Sequence, residues 1–188
     1  MTTKRAVVIG GSAGSIDPLR VLVGALPAGY PLAVIIVVHQ HRHADGWLAE
    51  HLGGLAVLPV SGIEDKQSIE RGQIYVGPAS YHVLIDEGDR FALSVDEPVH
   101  AARPSLDVFF ESAARAWGPD VVGVLLSGAS ADGAEGLSAI QARGGTVLCQ
   151  HPDTADARAM PEAGMAATRA DLVGSPERLG IELRELGR

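Results

Sequence analysis

Ser12, His39 and Asp132 supply a nucleophile, a base and an acid, the three side-chain types that acyl transfer requires. In that chemistry the imidazole takes the serine proton as the hydroxyl attacks. The carboxylate fixes the ring tautomer and balances the positive charge that develops on it. Each of the three follows an apolar run of strand length. Ala6-Val7-Val8-Ile9 leads into the glycine-rich corner holding Ser12, Leu32 to Val38 leads directly into His39, and Val121 to Leu126 shortly precedes Asp132. Uncharged β-prone runs predict strands buried on both faces, as in a parallel sheet. Loops converge on a site at the carboxyl edge of such a sheet, so all three residues are expected there.

Each residue also has a plainer reading. Gly10-Gly11-Ser12-Ala13-Gly14 suits a phosphate- or nucleotide-binding turn in which Ser12 caps the next helix. His39 suits a hydrogen-bonded structural histidine, and Asp132 suits a turn or N-cap aspartate before a helix over 134–142. Gly10-x-Ser12-x-Gly14 fits the G-x-S-x-G elbow, but the order Ser, His, Asp differs from the Ser, Asp, His order of α/β-hydrolases. The tract His39-x-His41-x-His43, with His51 nearby, has metal-like spacing. No Cys or close carboxylate pair completes a shell, so neither a metal nor another cofactor is expected. His82, His100 and His151 stand singly and are expected to be structural.

A regular alternation of elements must carry these residues. Helical spacing of Leu19, Leu22, Val23 and Leu26 predicts a helix over 17–26, closed by Pro27-Ala28-Gly29-Tyr30-Pro31. Further helices are predicted over 47–52, 105–117 with Ser105 as N-cap, 134–142, 160–168 and 176–186. Strands are predicted over 32–38, 56–59, 73–78, 121–126, 146–149 and 171–173. Short apolar runs at 82–85 and 91–93 flank Asp86-Glu87-Gly88-Asp89-Arg90 and predict a β-hairpin, while 65–71 reads as exposed and polar. The expected fold is α/β: a three-layer, doubly wound, mostly parallel sheet with a β-hairpin, in one domain spanning 1–188.

Charge and composition exclude several functions. A net charge of −8 with no Lys/Arg-rich run argues against nucleic-acid binding, which depends on neutralising phosphates. The lone Cys149 precludes an internal disulfide and fits a reducing compartment. Following Val147-Leu148, it reads as a core strand residue. No signal-peptide pattern opens the chain, and Leu32 to Val38 is far below membrane-spanning length. A cytoplasmic protein without membrane insertion is expected.

Several stretches together resemble the catalytic domain of CheB-type chemotaxis protein-glutamate methylesterases. Ile9-Gly10-Gly11-Ser12-Ala13-Gly14 is similar to that family's Ile-Gly-Ala-Ser-Thr-Gly-Gly motif. Val37-Val38-His39 with Leu48-Ala49-Glu50-His51-Leu52 resembles its Val-Gln-His stretch and following helix. Gln73 to His82 resembles the segment before the family's hairpin, and Arg103-Pro104-Ser105-Leu106-Asp107 its Arg-Pro-Ser-x-Asp signature. Leu125 to Gly136 is similar to Leu-Thr-Gly-Met-Gly-x-Asp-Gly-Ala-x-Gly, and Met160-Pro161 to a late Met-Pro pair.

The resemblance runs collinearly from about Ala6 to about Leu186. It implies Ser12 as nucleophile, His39 rather than His41 as base, Asp132 as acid, and the main-chain N–H groups of Ala13 and Ala129 as oxyanion donors. It further implies demethylation of glutamate methyl esters, with glutamine deamidation as a second activity, on the cytoplasmic helical bundle of a methyl-accepting chemoreceptor. The competing readings are a small-molecule carboxylesterase on the same scaffold and a signalling or docking module whose site has decayed. Ala13 replaces the family's Thr, Ala129 its Met, Val38 its Gln and Ala159 its Gly; alanine keeps the amide at the first two. Many family members carry an N-terminal phospho-receiver domain. Here strand one begins within about six residues of Met1, which leaves no room for one, so control is expected to be absent, supplied by another chain such as a separate response-regulator partner, or different in kind.

Overall fold

The uncharged runs become the middle of a sheet, because only strands covered on both faces can bury every side chain. The computed structural model describes residues 4–41, 44 and 46–188. In chain order it has β1 (Ala6–Gly11), α1 (Ile16–Ala25), β2 (Ala33–Val38), α2 (Trp47–Gly53), β3 (Val60–Gly62) and β4 (Ile74–Val76). The hairpin strands β5 (His82–Asp86) and β6 (Arg90–Ser94) follow, then α3 (Leu106–Trp117), β7 (Val121–Leu125) and α4 (Ala134–Ala142). β8 (Thr146–Gln150), α5 (Ala159–Ala167), β9 (Leu172–Gly174) and α6 (Pro176–Leu186) complete it. Among the described residues the parallel sheet has the order β3-β4-β2-β1-β7-β8-β9, with β5 and β6 forming a separate antiparallel pair. The chain winds outward from β1 in one direction and then in the other, as a doubly wound sheet does.

The period-2 alternation of strand side chains divides the interior into two cores. Ala6, Val8, Ile35, Val37 and Leu125 face α3, α4, α5 and the hairpin, packing on Phe109, Phe110, Leu137, Met160 and Phe91. Val7, Ile9, Val34, Ile36 and Val124 face the other way, onto Leu19 and Leu22 of α1, Leu48 and Leu52 of α2, and Leu179 and Leu183 of α6. Each large side chain so buried contributes roughly 1.5–3 kcal/mol. Cys149 lies buried in β8, as expected, and burial pushes its thiol up to about 12, so it is inert as a nucleophile.

One strand lies elsewhere than the sequence suggests. The predicted 56–59 strand is irregular, and pairing begins at Val60, opposite Ile74. Val57 points outward at 67% exposure and Pro59 has no N–H to donate, so the ladder starts only beyond it. Among the described residues no helix is long and apolar enough to cross a membrane.

Candidate active site

Register sets the first neighbours. Gly11 pairs with Val38 across β1 and β2, so Ser12 and His39 leave adjacent parallel strands side by side, about 4.8 Å apart in the pairing direction. The His39 N–H donates to the Gly11 carbonyl at 3.1 Å. On the other side of β1, the Ser12 N–H donates to the Ser127 carbonyl at 2.8 Å. Ser12 therefore sits where the winding of the sheet reverses, with β2 on one flank and the loop after β7 on the other.

The turn after Ser12 differs in detail from its sequence reading. Of Gly10, Gly11 and Gly14, only Gly14 has positive φ, at 76°, and a Cβ there would also approach the Asp156 Cβ to 2.5 Å. Gly10 and Gly11 are extended in β1, and what they need is room: a Cβ on Gly11 would lie 2.6 Å from the Ser15 Cβ. Ser12 does not cap the helix. That position belongs to Ser15, whose N–H and hydroxyl both donate to the Ser12 carbonyl, at 3.1 and 2.7 Å. The Ser12 hydroxyl has no intramolecular partner among the described residues.

Asp132 lies one residue before the Gly133 N-cap position of α4 but serves a different helix. Its Oδ2 accepts from His39 Nε2 at 2.7 Å and from the Leu106 N–H at 2.7 Å. Its Oδ1 accepts from the Ser105 hydroxyl at 2.9 Å and the Asp107 N–H at 3.1 Å. The carboxylate thus caps the N-terminus of α3, where free amides and the helix dipole favour an anion. Burial opposes its ionisation, but the bonds from His39, the two amides and the Ser105 hydroxyl outweigh burial and hold it near 2. An ionised Asp132 accepts, so His39 Nε2 donates and Nδ1 keeps the lone pair that a base needs.

Asp107 returns the arrangement. Its Oδ1 accepts from the N–H groups of Gly133 and Gly136, at 2.9 and 2.8 Å, at the start of α4. Burial raises its carboxyl to about 6, with the Asp132 charge adding to the effect and the two amides working against it. Each helix is therefore capped by an aspartate from the other's first turn or its approach. The separation of 25 positions between Asp107 and Asp132 hides this exchange from local patterns. Ser105, read from the sequence as an N-cap and as part of the Arg-Pro-Ser-x-Asp signature, fills the cap by accepting from the Val108 N–H at 3.4 Å.

Ala13, next to Ser12, and Ala129, in the loop after β7, are both exposed, and among the described residues neither main-chain N–H has an intramolecular acceptor. Their loops are firmly held. Ser127 Oγ donates to the Ala13 carbonyl at 2.7 Å and accepts from the Ala157 N–H at 3.0 Å. Gly128 leaves no space for a side chain, since a Cβ would meet Met160 Sδ at 2.5 Å. Beside His39 a cavity of about 270 Å³ opens, lined also by Gln40, Ser80, Pro98, Arg103 and Pro104.

His39 is engaged by Asp132, His41 is exposed, and His43 lies outside the described residues. A different group, His100, Asp107 and Glu135, has ligand atoms within 4.8 Å of one another and is the one among the described residues that could hold a metal ion. It lies against the start of α4, where the helix dipole opposes a cation.

The comparisons with known proteins bear on the whole chain. The family model for CheB methylesterase matches residues 7–183. A Pseudomonas putida protein named protein-glutamate methylesterase/protein-glutamine glutaminase of group 3 operon is 35% identical over 179 residues, covering 95% of this chain and 53% of that protein. A Leptospira interrogans protein, provisionally named for the same two activities, is 37% identical over 174 residues, covering 93% of this chain and 90% of its own length. The crystal structure of the Thermotoga maritima CheB methylesterase catalytic domain superposes with a TM-score of 0.93 at 26% identity, covering 98% of this chain and all of that one.

Proposed function

The chain belongs to the CheB methylesterase family, and from that premise we propose that it is a serine hydrolase of glutamate methyl esters on chemoreceptor cytoplasmic domains, with glutamine deamidation as a second activity. The observation that carries the reading is the 2.7 Å bond between His39 Nε2 and Asp132, on the strand next to the one that delivers Ser12. The unbroken family match over 7–183 supports a single domain.

In this reading His39 Nδ1 takes the Ser12 proton as Oγ attacks the ester carbonyl. The imidazolium is held by Asp132 through Nε2. The N–H groups of Ala13 and Ala129 receive the oxyanion, and such donors contribute roughly 3–4 kcal/mol each. Collapse of the tetrahedral intermediate breaks the bond to the methoxy oxygen, which leaves as methanol with the proton from His39. Water then attacks the glutamyl-Ser12 ester with His39 again as base, which frees the glutamate and restores the hydroxyl. With a glutamine side chain, ammonia leaves in place of methanol. The surface position of Ala13 and Ala129 suits an ester presented on a folded helical protein.

Methanol release from a methylated receptor cytoplasmic fragment tests the proposal. Ser12→Ala should reduce it by at least about 10³-fold. Equal rates from the two proteins would end the reading, and turnover of p-nitrophenyl esters without any of methylated receptor would transfer the substrate to small molecules.

A further inference from the structure

The carboxylate of Asp132 has more donors than orientation of one imidazole requires, and the chain that supplies them extends to a second histidine. Ser105 Oγ donates to Oδ1 at 2.9 Å. The Ser105 N–H in turn donates to His82 Nδ1 at 3.1 Å, and His82 Nε2 is 3.1 Å from the Glu97 carbonyl, which it can only meet as a donor. Ser105 and His82 are both fully or almost fully buried, at 0% and 2% exposure. The hydroxyl therefore has a fixed seat: its residue is held from β5 by His82 and its oxygen is shared between Asp132 and the Val108 N–H.

We propose that Ser105 is a positioning residue that, seated by His82, sets how strongly Asp132 pulls on the proton of His39. The inference rests on the reading of His39 as the base. A carboxylate that spends one oxygen on a hydroxyl and an amide has less charge to offer an imidazolium across the other. Without the hydroxyl, Asp132 holds the imidazolium more tightly, so His39 stays protonated to higher pH and is withheld from Ser12. A residue that only starts a helix would not act in this way. The other ionisable groups near the pair are Asp107 on α3, whose carboxyl is raised to about 6, His100 and Glu135 beside Asp107, Arg103 in the cavity beside His39, and His82, which bonds the Ser105 N–H.

The test is the rate at which a fluorophosphonate labels Ser12, followed across pH in the full chain, which depends on the base and not on the receptor. For Ser105→Ala the acid limb should move up by about half a pH unit or more. Ser105→Cys keeps the shape with a poor donor and should behave alike, which covers the case in which the alanine variant does not fold. Ser105→Thr, which restores the hydroxyl, should move the limb back. Asp107→Asn paired with each variant identifies any part of the limb that belongs to Asp107. A limb that stays put in both folded variants, moves down, or shifts only while Asp107 is ionisable overturns the role of Ser105. Undiminished labelling in Asp132→Asn would instead overturn the reading of the base, so the two failures are distinguishable.

Discussion

The two flanks of Ser12 are finished to different degrees. Towards Asp132, both carboxylate oxygens are shared among four donors, and the groups supplying them are tied to α3, α4 and the hairpin. Towards Ala129, the serine hydroxyl and two main-chain N–H groups have no partner among the described residues. Energetics explains the contrast. An ionised carboxylate with a side chain 2% exposed costs several kcal/mol unless it is fully bonded, whereas an exposed amide is served by water until something better arrives. In the proposed reading the flank that handles the proton is complete before substrate binds, and the flank that meets the ester awaits the substrate's own atoms.

This contrast can be broken from either side. The largest effect is expected on the finished flank: Asp132→Asn should lower kcat by about 10³–10⁴-fold, because an amide set among these donors favours the wrong tautomer of His39. Steady-state methanol release measures it. On the open flank, Ala129→Pro deletes one N–H and should lower kcat by about 10²–10³-fold with little change in KM, provided the melting transition is retained. Equal, small losses from both would mean that the flanks do not divide the work.

Stability should respond on the finished flank alone. Asp107 in the unfolded chain ionises near 3.8, but the folded chain keeps its proton until about 6. Folding therefore binds protons across that interval, and stability falls as pH climbs through it. Asp107→Asn removes the cost, and should be more stable than wild type by roughly 1–2 kcal/mol at pH 8, with the advantage gone by pH 4. Urea denaturation at several pH values reads this directly. Asp132 carries the opposite sign: its contribution is present above 3.8 and is lost as pH falls towards 2. The smallest effect is expected for Ala13→Thr, which leaves the amide in place and adds atoms only at the surface, so kcat should stay within about threefold.

How much could be read from the chain follows the same division. β1, β2 and β7 were legible because central parallel strands carry an uncharged signature, and those strands end where Ser12, His39 and the approach to Asp132 begin. The hairpin was legible from the Gly88 loop between two short apolar runs. β3 was placed too early, since hydropathy registers Val57 and Leu58 but not which residues find a pairing partner. The support of Asp132 was hidden for a related reason. Ser105, Asp107 and His82 reach it or its donors across 23 to 27 residues, and no local period encodes a hydrogen bond between separate elements. Asp132 looked like a cap for the helix it precedes, and nothing nearby in sequence pointed to α3 instead.

The paired aspartates make α3 and α4 hostages to each other. Fraying the first turn of either helix strips the acid from the other's amides, so neither end can loosen alone. Partial melting at this corner would take the carboxylate partner of His39 away together with the helix end it caps, so the site and the fold are lost there as one.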